Sequence, residues 1–257
     1  MARYALTLEY KGNCFHGFQK QPDVETVQGA LEHALFTLCG KGVPIFGAGR
    51  TDAGVHAVGQ VACFDLDEEV EKGRFVRALN ALVPEGLSVV SMKIARDDFD
   101  PRRDALWREY RYFILNRESP SPLLAGFAFH YPFLLDFEKM KNACALIEGE
   151  KDFSSFTVGK IEGSPVRKVI LCDVKMERSR IIVIRIRANS FLYRMARIIA
   201  ASIVSVGSGR LEIKKLEERI SGVKCLCADP LPAHGLYLWK ISYPSDCFFE
   251  TRLDNTL

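Results

Sequence analysis

The sequence predicts an α+β fold, with strands and helices alternating in both halves of the chain. Segments of period-two alternation recur between segments of helical spacing. Hydrophobic residues make up 48% and charged residues 26% of the 257 residues, which is ordinary for a globular protein. A chain of this length can bury the core of one large domain or two small ones without disulfides or metals. These observations argue against all-helical and all-β folds.

The first half is predicted to contain two helices between four strands. The first helix has the clearest ends: Thr26 can accept hydrogen bonds from the first turn, and Gly40 can adopt the left-handed conformation that ends a helix. The second helix is marked by Phe75, Leu79 and Leu82 and is closed by Pro84. The strands are expected at residues 3–10, 43–48, 57–65 and 87–94.

The second half repeats this order of elements. Strands are expected at residues 105–115, 166–176, 181–189 and 236–243, with a helix near 136–148. The longest helix is expected over Ser190–Val206, where an apolar stripe leaves Arg194 and Arg197 outside it. The boundary between the two halves is expected near residues 96–104. We therefore expect an N-terminal half at 1–98 and a C-terminal half at 104–257.

Neither a targeting segment nor a metal site is evident in the sequence. The first residues lack the long apolar stretch of a signal peptide, so we expect a cytoplasmic protein. The eight cysteines show no C-x-x-C spacing of the kind that holds zinc. Cys225 and Cys227 form a C-x-C pair, but two further ligands are not apparent nearby. We therefore predict no metal.

Positive charge is concentrated in one region of the chain. The formal net charge is only +3. Residues 160–197, however, contain a strong excess of Lys and Arg over Asp and Glu, which is called the basic block below. Such a block suits the phosphate backbone of a nucleic acid. A solvated pair of strands with its basic side chains in water remains the alternative.

One segment, residues 47–60, surrounds a single carboxylate with small residues. In GAGRTDAGVHAVGQ, Asp52 lies between two predicted strands, and the neighbouring glycines and alanines would let a large substrate approach. Glycines 47, 49 and 54 are expected to allow positive φ. The spacing fits neither a dinucleotide-binding loop nor a P-loop. From these residues alone, Asp52 could equally be an aspartate that stabilises a turn.

The stretch GRTDAGVHAVGQVACF, residues 49–64, resembles the signature of the tRNA pseudouridine synthase A family. Further family motifs follow in the family's order along nearly the whole chain. They are Tyr10–Gly12, Phe15–Gln19, Thr26–Gln28, Asn80–Leu82, Arg108–Tyr112, Asp152–Phe156, Phe191–Arg197 and Pro232–Leu236.

The resemblance implies roles for particular residues. Asp52 is expected to be the essential catalytic residue, and Arg197 is expected to pair with its carboxylate. Tyr110 is expected to stack on the target uracil and Arg50 to assist base flipping, with Leu236 as a further substrate-binding residue. In a strand, Arg108, Tyr110 and Tyr112 share one face, so an aromatic platform for a base is feasible.

Further residues are candidates for RNA contacts. Where the family usually carries an F-x-A-R-like segment, this chain has Phe99-Asp100-Pro101-Arg102-Arg103. Pro101 stiffens that turn, and Asp100 adds negative charge. The candidates are Phe99, Arg102 and Arg103 in this segment and Lys160, Arg167 and Lys168 in the basic block.

The resemblance also implies a fold and a substrate. Two ferredoxin-like halves, related by a pseudo-twofold, would join their sheets into one antiparallel sheet with flanking helices and a central cleft. The expected activity is isomerisation of uridine to pseudouridine in the anticodon stem-loop of tRNA, at positions 38–40. The family implies a homodimer whose two subunits contact one tRNA. No cofactor is expected, because the reaction adds no atom and involves no redox step.

The chemistry leaves several routes open. An ionised carboxylate could attack the sugar, attack the uracil ring or take a ribose proton. Burial favours a neutral aspartic acid, and a nearby cation such as Arg197 would favour the charged form. The alternatives to a synthase are a non-catalytic RNA-binding module and a hydrolase that cleaves nucleosides. The intact aspartate motif argues against the first, and the second would need a general acid and a water path.

Overall fold

A computed structural model describes residues 1–177, 180–222 and 229–249, which form an α+β protein. The chain divides into two compact units. The first comprises Met1–Leu106 together with the chain from Leu238 onward, and the second comprises Trp107–Tyr237. The described residues contain five α-helices. None of these helices is long and apolar enough to cross a membrane.

The first unit builds an antiparallel sheet around its first strand. Its strands are β1 (Ala2–Tyr10), β2 (Phe46–Gly47), β3 (His56–Leu66), β4 (Leu87–Ala95) and β11 (Phe248–Phe249). It also contains most of β10 (Leu236–Ser242), whose first two residues belong to the second unit. The spatial order is β11-β4-β1-β3-β10, and β2 pairs with β3. Two helices, α1 (Val27–Cys39) and α2 (Lys72–Leu82), connect these strands.

The core of the first unit lies between its sheet and its helices. Tyr4 of β1 faces Phe64 of β3 in the antiparallel register, and the two rings stack. Phe75 of α2 also stacks with Phe64, with 6.1 Å between the ring centroids. Because alternate residues of a strand share a face, Leu6 and Leu8 lie on the same side as Tyr4 and are fully buried.

The strands of the second unit follow the order β5-β9-β8-β7. The strands are β5 (Trp107–Leu115), β7 (Gly149–Asp152), β8 (Val166–Met176) and β9 (Ile181–Ala188), and the short β6 (Phe129–His130) pairs in parallel with β5. Its helices are α3 (Phe137–Ile147), α4 (Met195–Gly207) and α5 (Ile213–Ile220). Gly207 lets α4 approach α3, because a Cβ there would lie 2.5 Å from Met140 Cγ.

The predicted ends of α1 are confirmed in atomic detail. The Thr26 hydroxyl accepts a hydrogen bond from the Gly29 amide at 3.2 Å, and Gly40 is left-handed at φ 68°. The Thr26 hydroxyl provides a partner for an amide that has none within the helix, and the left-handed conformation of Gly40 reverses the chain.

The structure corrects two predicted elements and adds a helix that was not predicted. The strand expected over 43–48 is reduced to the two residues of β2. The helix expected from Ser190 begins only at Met195, because Arg194 adopts φ 59° and ψ 7° before the first turn. That helix has 13 residues, as many as α1, so it is not the longest. Helix α5 was not predicted; it is short, and only Leu216 and Arg219 are buried.

Candidate active site

Asp52 lies in the loop between β2 and β3, on a tight turn. Its backbone carbonyl accepts a hydrogen bond from the Val55 amide at 3.1 Å, and Gly54 closes the turn at φ 81°. Val55, which follows Gly54, and Thr51, which precedes Asp52, are buried, whereas Asp52 itself is only half-buried. The fold therefore fixes the backbone around this carboxylate and leaves the residue partly accessible.

A second segment, residues 10–18, forms hydrogen bonds with this turn and with the residues next to it. Gly12 donates its amide to Nδ1 of His56 at 3.1 Å, and its carbonyl accepts from the Gly54 amide at 3.2 Å. The His56 side chain is buried, so this bond is protected from water. Both polar groups of Gly12 thus bind residues that immediately flank the Asp52 turn.

Two further contacts fix the residue before Asp52. The Thr51 hydroxyl lies 2.8 Å from the Tyr10 hydroxyl, and both residues are buried. The Thr51 carbonyl accepts from the Phe18 amide at 3.1 Å. The sequence motifs around Tyr10 and Phe18 therefore support the loop, a role that the sequence analysis did not assign to them.

The glycines of the loop differ from expectation. Gly54 has positive φ, but Gly47 and Gly49 do not. A Cβ at Gly47 would lie 2.3 Å from the ring of Phe18, so packing explains this glycine. Nothing lies within 4 Å of a Cβ built at Gly49, where the open space is compatible with close approach by a substrate.

Arg50 shares this loop with Asp52 and is exposed. The preceding residue is fixed, because Gln60 donates from Nε2 to the Gly49 carbonyl at 2.8 Å. Gln60 is itself fully buried in β3. The structure therefore brings the predicted Arg50 and Asp52 together on one anchored loop.

The segment Phe99–Arg103 also lies in the first unit, and it corrects one prediction. Phe99 is fully buried and packs edge-on against Tyr243 and Phe248, so its ring is not presented to RNA. It anchors a turn in which the Asp100 carboxylate accepts the amides of Arg102 and Arg103. Both arginines are exposed at the tip of this turn.

Tyr110 lies in the middle of β5, opposite Ile186 of β9. It is half-buried, whereas Tyr112 and Ile114 on the same strand face are fully buried. Phe191 packs edge-on against the Tyr110 ring, with 4.9 Å between centroids and an interplanar angle of 80°. The contact with Phe191 restricts the position of the half-buried Tyr110 ring.

Arg197 lies in the first turn of α4, in the second unit. Its Nε donates to the Leu231 carbonyl at 2.7 Å, and the Leu231 amide donates back to the Arg197 carbonyl at 3.4 Å. Leu236 opens β10 and is 4% exposed. Tyr110, Arg197 and Leu236 thus all belong to the second unit, whereas Asp52 and Arg50 belong to the first.

The basic block is only partly a cationic surface. Lys160 and Lys168 are exposed. Arg185 pairs instead with Asp173, which faces it across the strand pair, and Arg187 pairs with the buried Glu109. Asp173 belongs to the block itself, but Glu109 lies outside it, so the linear charge count overstated the positive charge of the block. Arg178 lies outside the described residues.

Arg167 is turned towards its own backbone. Its Nη1 donates to the carbonyls of Ser164 and Val166, at 2.6 and 2.7 Å. Its Nε is buried without a hydrogen-bond partner, and burial lowers the pKa of the guanidinium. Of the three predicted contacts in this block, Arg167 is therefore the least available to a phosphate.

Burial disfavours the thiolate form of several cysteines in the described residues. Burial raises the pKa of Cys63 to about 12, although Arg3 opposes this shift. Burial also raises the pKa of Cys39 and of Cys247. Cys225 and Cys227 lie outside the described residues. In the part of the chain that the structure describes, no cluster of three His, Cys, Asp or Glu side chains could hold a metal ion.

Comparison with known proteins gives a consistent result. A family model described as tRNA pseudouridine synthase matches residues 7–102 and 143–244. A tRNA pseudouridine synthase A of Oceanobacillus iheyensis is 37% identical over 247 residues, which are 95% of this chain and 97% of that protein. Proteins of the same name from Caldicellulosiruptor bescii and Methylacidiphilum infernorum are each 39% identical, over 95% of this chain and 100% and 96% of theirs.

Proposed function

Because the chain belongs to the tRNA pseudouridine synthase family, we propose that the Asp52 carboxylate carries its reaction. That reaction is the isomerisation of uridine to pseudouridine in tRNA. The observation that supports Asp52 is its position on a half-buried turn whose flanking residues are held by Gly12 and Tyr10. A carboxylate on a preorganised backbone loses little entropy when it engages the substrate.

The bond changes define what the site must do. The bond between uracil N1 and ribose C1′ breaks, and uracil C5 joins the same carbon. The C5 proton leaves to solvent while N1 gains a proton, so the formula of the nucleotide is unchanged. The detached base must be held while it turns, which is the task we assign to the Tyr110 ring and the apolar Leu236.

Arg197 and Arg50 are assigned the charged roles. We propose that the Arg197 guanidinium pairs with the Asp52 carboxylate and keeps it ionised away from bulk water. Arg50, exposed on the same loop as Asp52, would occupy the space that the flipped base leaves in the RNA. Unstacking a base costs a few kcal/mol, which such contacts must offset.

The target is proposed to be uridine 38, 39 or 40 in the anticodon stem-loop. The support is the family resemblance together with the exposed cations Arg102, Arg103, Lys160 and Lys168, which can bind phosphates without reading sequence. Chemical mapping of pseudouridine along an unmodified tRNA transcript after incubation with the protein tests this assignment. Modification confined to other uridines would overturn it.

We further propose that the protein is a cytoplasmic homodimer. Each chain is proposed to consist of two ferredoxin-like halves related by a pseudo-twofold. The first unit supports the fold proposal, because β1-α1-β2-β3-α2-β4 has the βαββαβ order and its strands pair as β4-β1-β3-β2. In the second unit, β5, α3, β8, β9 and α4 follow the same sequence of elements.

Light scattering after size exclusion would measure the mass of the assembly and so test the proposed homodimer.

The role of Asp52 is tested with tRNA that carries tritium on uracil C5. The wild-type protein should release the label to water without added nucleotide, metal or redox cofactor. Asp52→Asn should release none while still binding tRNA. Asp67→Asn, the same change at an exposed aspartate just beyond β3, is the matched control and should keep activity.

Two outcomes would contradict this proposal. Turnover by Asp52→Asn close to the wild-type rate would remove the carboxylate from its assigned role. Free uracil among the wild-type products would indicate a nucleoside hydrolase instead, because an isomerase returns the base to the same ribose.

A further inference from the structure

A short segment before β10, Leu231–Gly235, contacts two predicted elements of the active site and is called the strap below. Leu231 exchanges two hydrogen bonds with Arg197: its carbonyl accepts from Nε at 2.7 Å, and its amide donates to the Arg197 carbonyl at 3.4 Å. A guanidinium has five N–H donors, so the bond through Nε sets the plane of the group and keeps both Nη groups as donors.

Tyr112 holds the next peptide of the strap. Its hydroxyl donates to the Pro232 carbonyl at 2.8 Å, and the residue is fully buried in β5. Gly235 lies against the same ring, since a Cβ there would be 2.7 Å from Cζ and 2.9 Å from the hydroxyl oxygen. Burial raises the pKa of Tyr112 far above its usual range, so the hydroxyl stays a neutral donor.

The two carbonyls that bind Arg197 and Tyr112 belong to successive residues. One freely rotatable backbone bond, at ψ of Pro232, joins the peptide that Tyr112 holds to the peptide whose Leu231 carbonyl receives Nε of Arg197. Pro232 restricts this part of the backbone through its ring, and the Tyr112 hydroxyl supplies the one hydrogen bond that the structure shows to its carbonyl. The geometry links a buried tyrosine to the orientation of a guanidinium through two neighbouring peptides.

From these contacts we infer that Tyr112 is a positioning residue for the reaction, which orients the Arg197 guanidinium through the strap. The inference rests on the proposed pairing of Arg197 with Asp52. It assigns Tyr112 no contact with the substrate, in contrast to Tyr110 two residues earlier on the strand. Tyr112 acts by limiting the directions in which Nη1 and Nη2 can point.

Tyr112→Phe removes the hydroxyl and leaves the ring against Gly235. We expect kcat to fall about fivefold to tenfold, the size of effect that one lost hydrogen bond gives when it matters in the transition state. KM for tRNA should stay within about twofold of wild type. The acidic limb of the pH–rate profile should move upward. We expect the same direction for Arg197→Ala, because a carboxylate that loses its neighbouring cation is protonated at higher pH.

Tyr237→Phe is the matched control. Its hydroxyl also donates to a backbone carbonyl of the second unit, that of Phe127 at 2.8 Å, and burial also raises its pKa, to about 12. Both variants delete one atom and one bond of the same kind, so both should lower Tm to a similar extent. Only Tyr112→Phe should change kcat and the pH–rate profile. Equal catalytic effects of the two variants would overturn the inference.

A double mutant separates the inference from the proposed function. If Tyr112 acts through Arg197, adding Tyr112→Phe to Arg197→Ala should leave kcat unchanged within about twofold. Tyr112→Phe could instead lower kcat by its full factor in the Arg197→Ala background, while Arg197→Ala alone shifts the acidic limb. That result would overturn the inference and leave the pairing of Arg197 with Asp52 intact. An unshifted limb in Arg197→Ala would overturn the pairing, and the inference with it.

Discussion

At Gly12 the backbone approaches the Asp52 turn more closely than any residue with a side chain would allow. A Cβ at this position would lie 2.2 Å from the Val55 carbonyl oxygen and 2.6 Å from the Gly54 carbonyl carbon, both backbone atoms. We predict that Gly12→Ala displaces the turn and lowers kcat about 100-fold, because a shift of about 1 Å in a catalytic group costs that much. Single-turnover release of tritium from labelled tRNA measures the effect.

Gly42→Ala is the control for this substitution. Nothing lies within 4 Å of a Cβ at Gly42, and its φ is not positive, so the change should leave folding and turnover intact. Binding of tRNA by Gly12→Ala should remain, since the phosphate contacts are proposed elsewhere. A Gly12→Ala protein with unchanged kcat would show that the position of the turn is not critical.

Tyr110 gives a second prediction at this scale. Its ring makes a T-shaped contact with Phe191 and is half-buried, and its role as a stacking surface for a base is the one implied by the family resemblance. Tyr110→Phe should keep a platform worth about 1 to 3 kcal/mol, whereas Tyr110→Ala should lose it, and kcat for tritium release should separate the two. Equal activity of both variants would argue against a platform, and an inactive Phe variant would identify the hydroxyl as a proton donor or acceptor.

Roles were predicted for individual residues only where a motif carried them. Asp52, Tyr110 and Arg197 were assigned roles from the resemblance, but His56 and Gly12 were not, although both lie within quoted motifs. Their role depends on a hydrogen bond between residues 44 positions apart, which no local pattern reveals. Phe99 was misassigned because the partners that bury its ring, Tyr243 and Phe248, come from the far end of the chain.

The β5–β9 pair contains a buried carboxylate whose charge is stabilised by two arginines. Burial of Glu109 favours its neutral form, but hydrogen bonds from Arg187 and Arg111 outweigh this and hold its pKa below the usual value. A lowered pKa contributes stability above the unfolded-state value of about 4.3, and this contribution is lost as the pH falls through the folded-state pKa. The strand pair should therefore weaken below about pH 4.

Glu109→Gln tests this pH dependence. At pH 7 we expect a loss of about 1 to 3 kcal/mol in the free energy of unfolding, because two arginines lose a charged acceptor. Below pH 4 the difference from wild type should shrink. Urea unfolding at several pH values measures both, with Glu118→Gln, an exposed glutamate beyond β5, as the control. A constant difference at all pH values would show that the charge of Glu109 is not what stabilises the pair.

Elements were predictable to the extent that their signals are local. Thr26 and Gly40 marked the ends of α1 because both act on their own helix. The start of α4 was misplaced because its apolar spacing continues back to Leu192. Residues before Met195 instead form a loop, in which Thr157 binds the Tyr193 carbonyl and the Asn189 side chain accepts the amides of Lys168 and Ser190.

For the molecule as a whole, the sequence predicted the α+β class and most elements, but not which charges neutralise one another. Strand neighbours are set by non-local pairing, so Arg187 of β9 and Glu109 of β5 meet although 78 residues separate them. The family resemblance supplied the activity, which hydrophobic periodicity does not encode.

The distribution of charge leads to a prediction about how the whole protein binds RNA. With a net charge of only +3, attraction to tRNA must come from local clusters. Each phosphate contact changes the slope of log K against log salt by about 0.7 to 0.9. Lys160→Ala and Lys168→Ala should each make that slope shallower by about this amount and leave kcat at saturating tRNA unchanged.

Arg167 and Lys141 provide the contrasts that make this measurement decisive. Arg167 binds the Ser164 and Val166 carbonyls, so Arg167→Ala should lower stability more than it changes the salt slope. Lys141 is paired with Glu138 on α3 at 2.8 Å, and Lys141→Ala should leave the slope as it is. Fluorescence anisotropy with labelled tRNA between about 50 and 200 mM salt spans the range over which such contacts weaken strongly. If all four variants gave the wild-type slope, the exposed lysines of the basic block would be solvated surface charges, and the phosphate contacts would lie elsewhere on the protein.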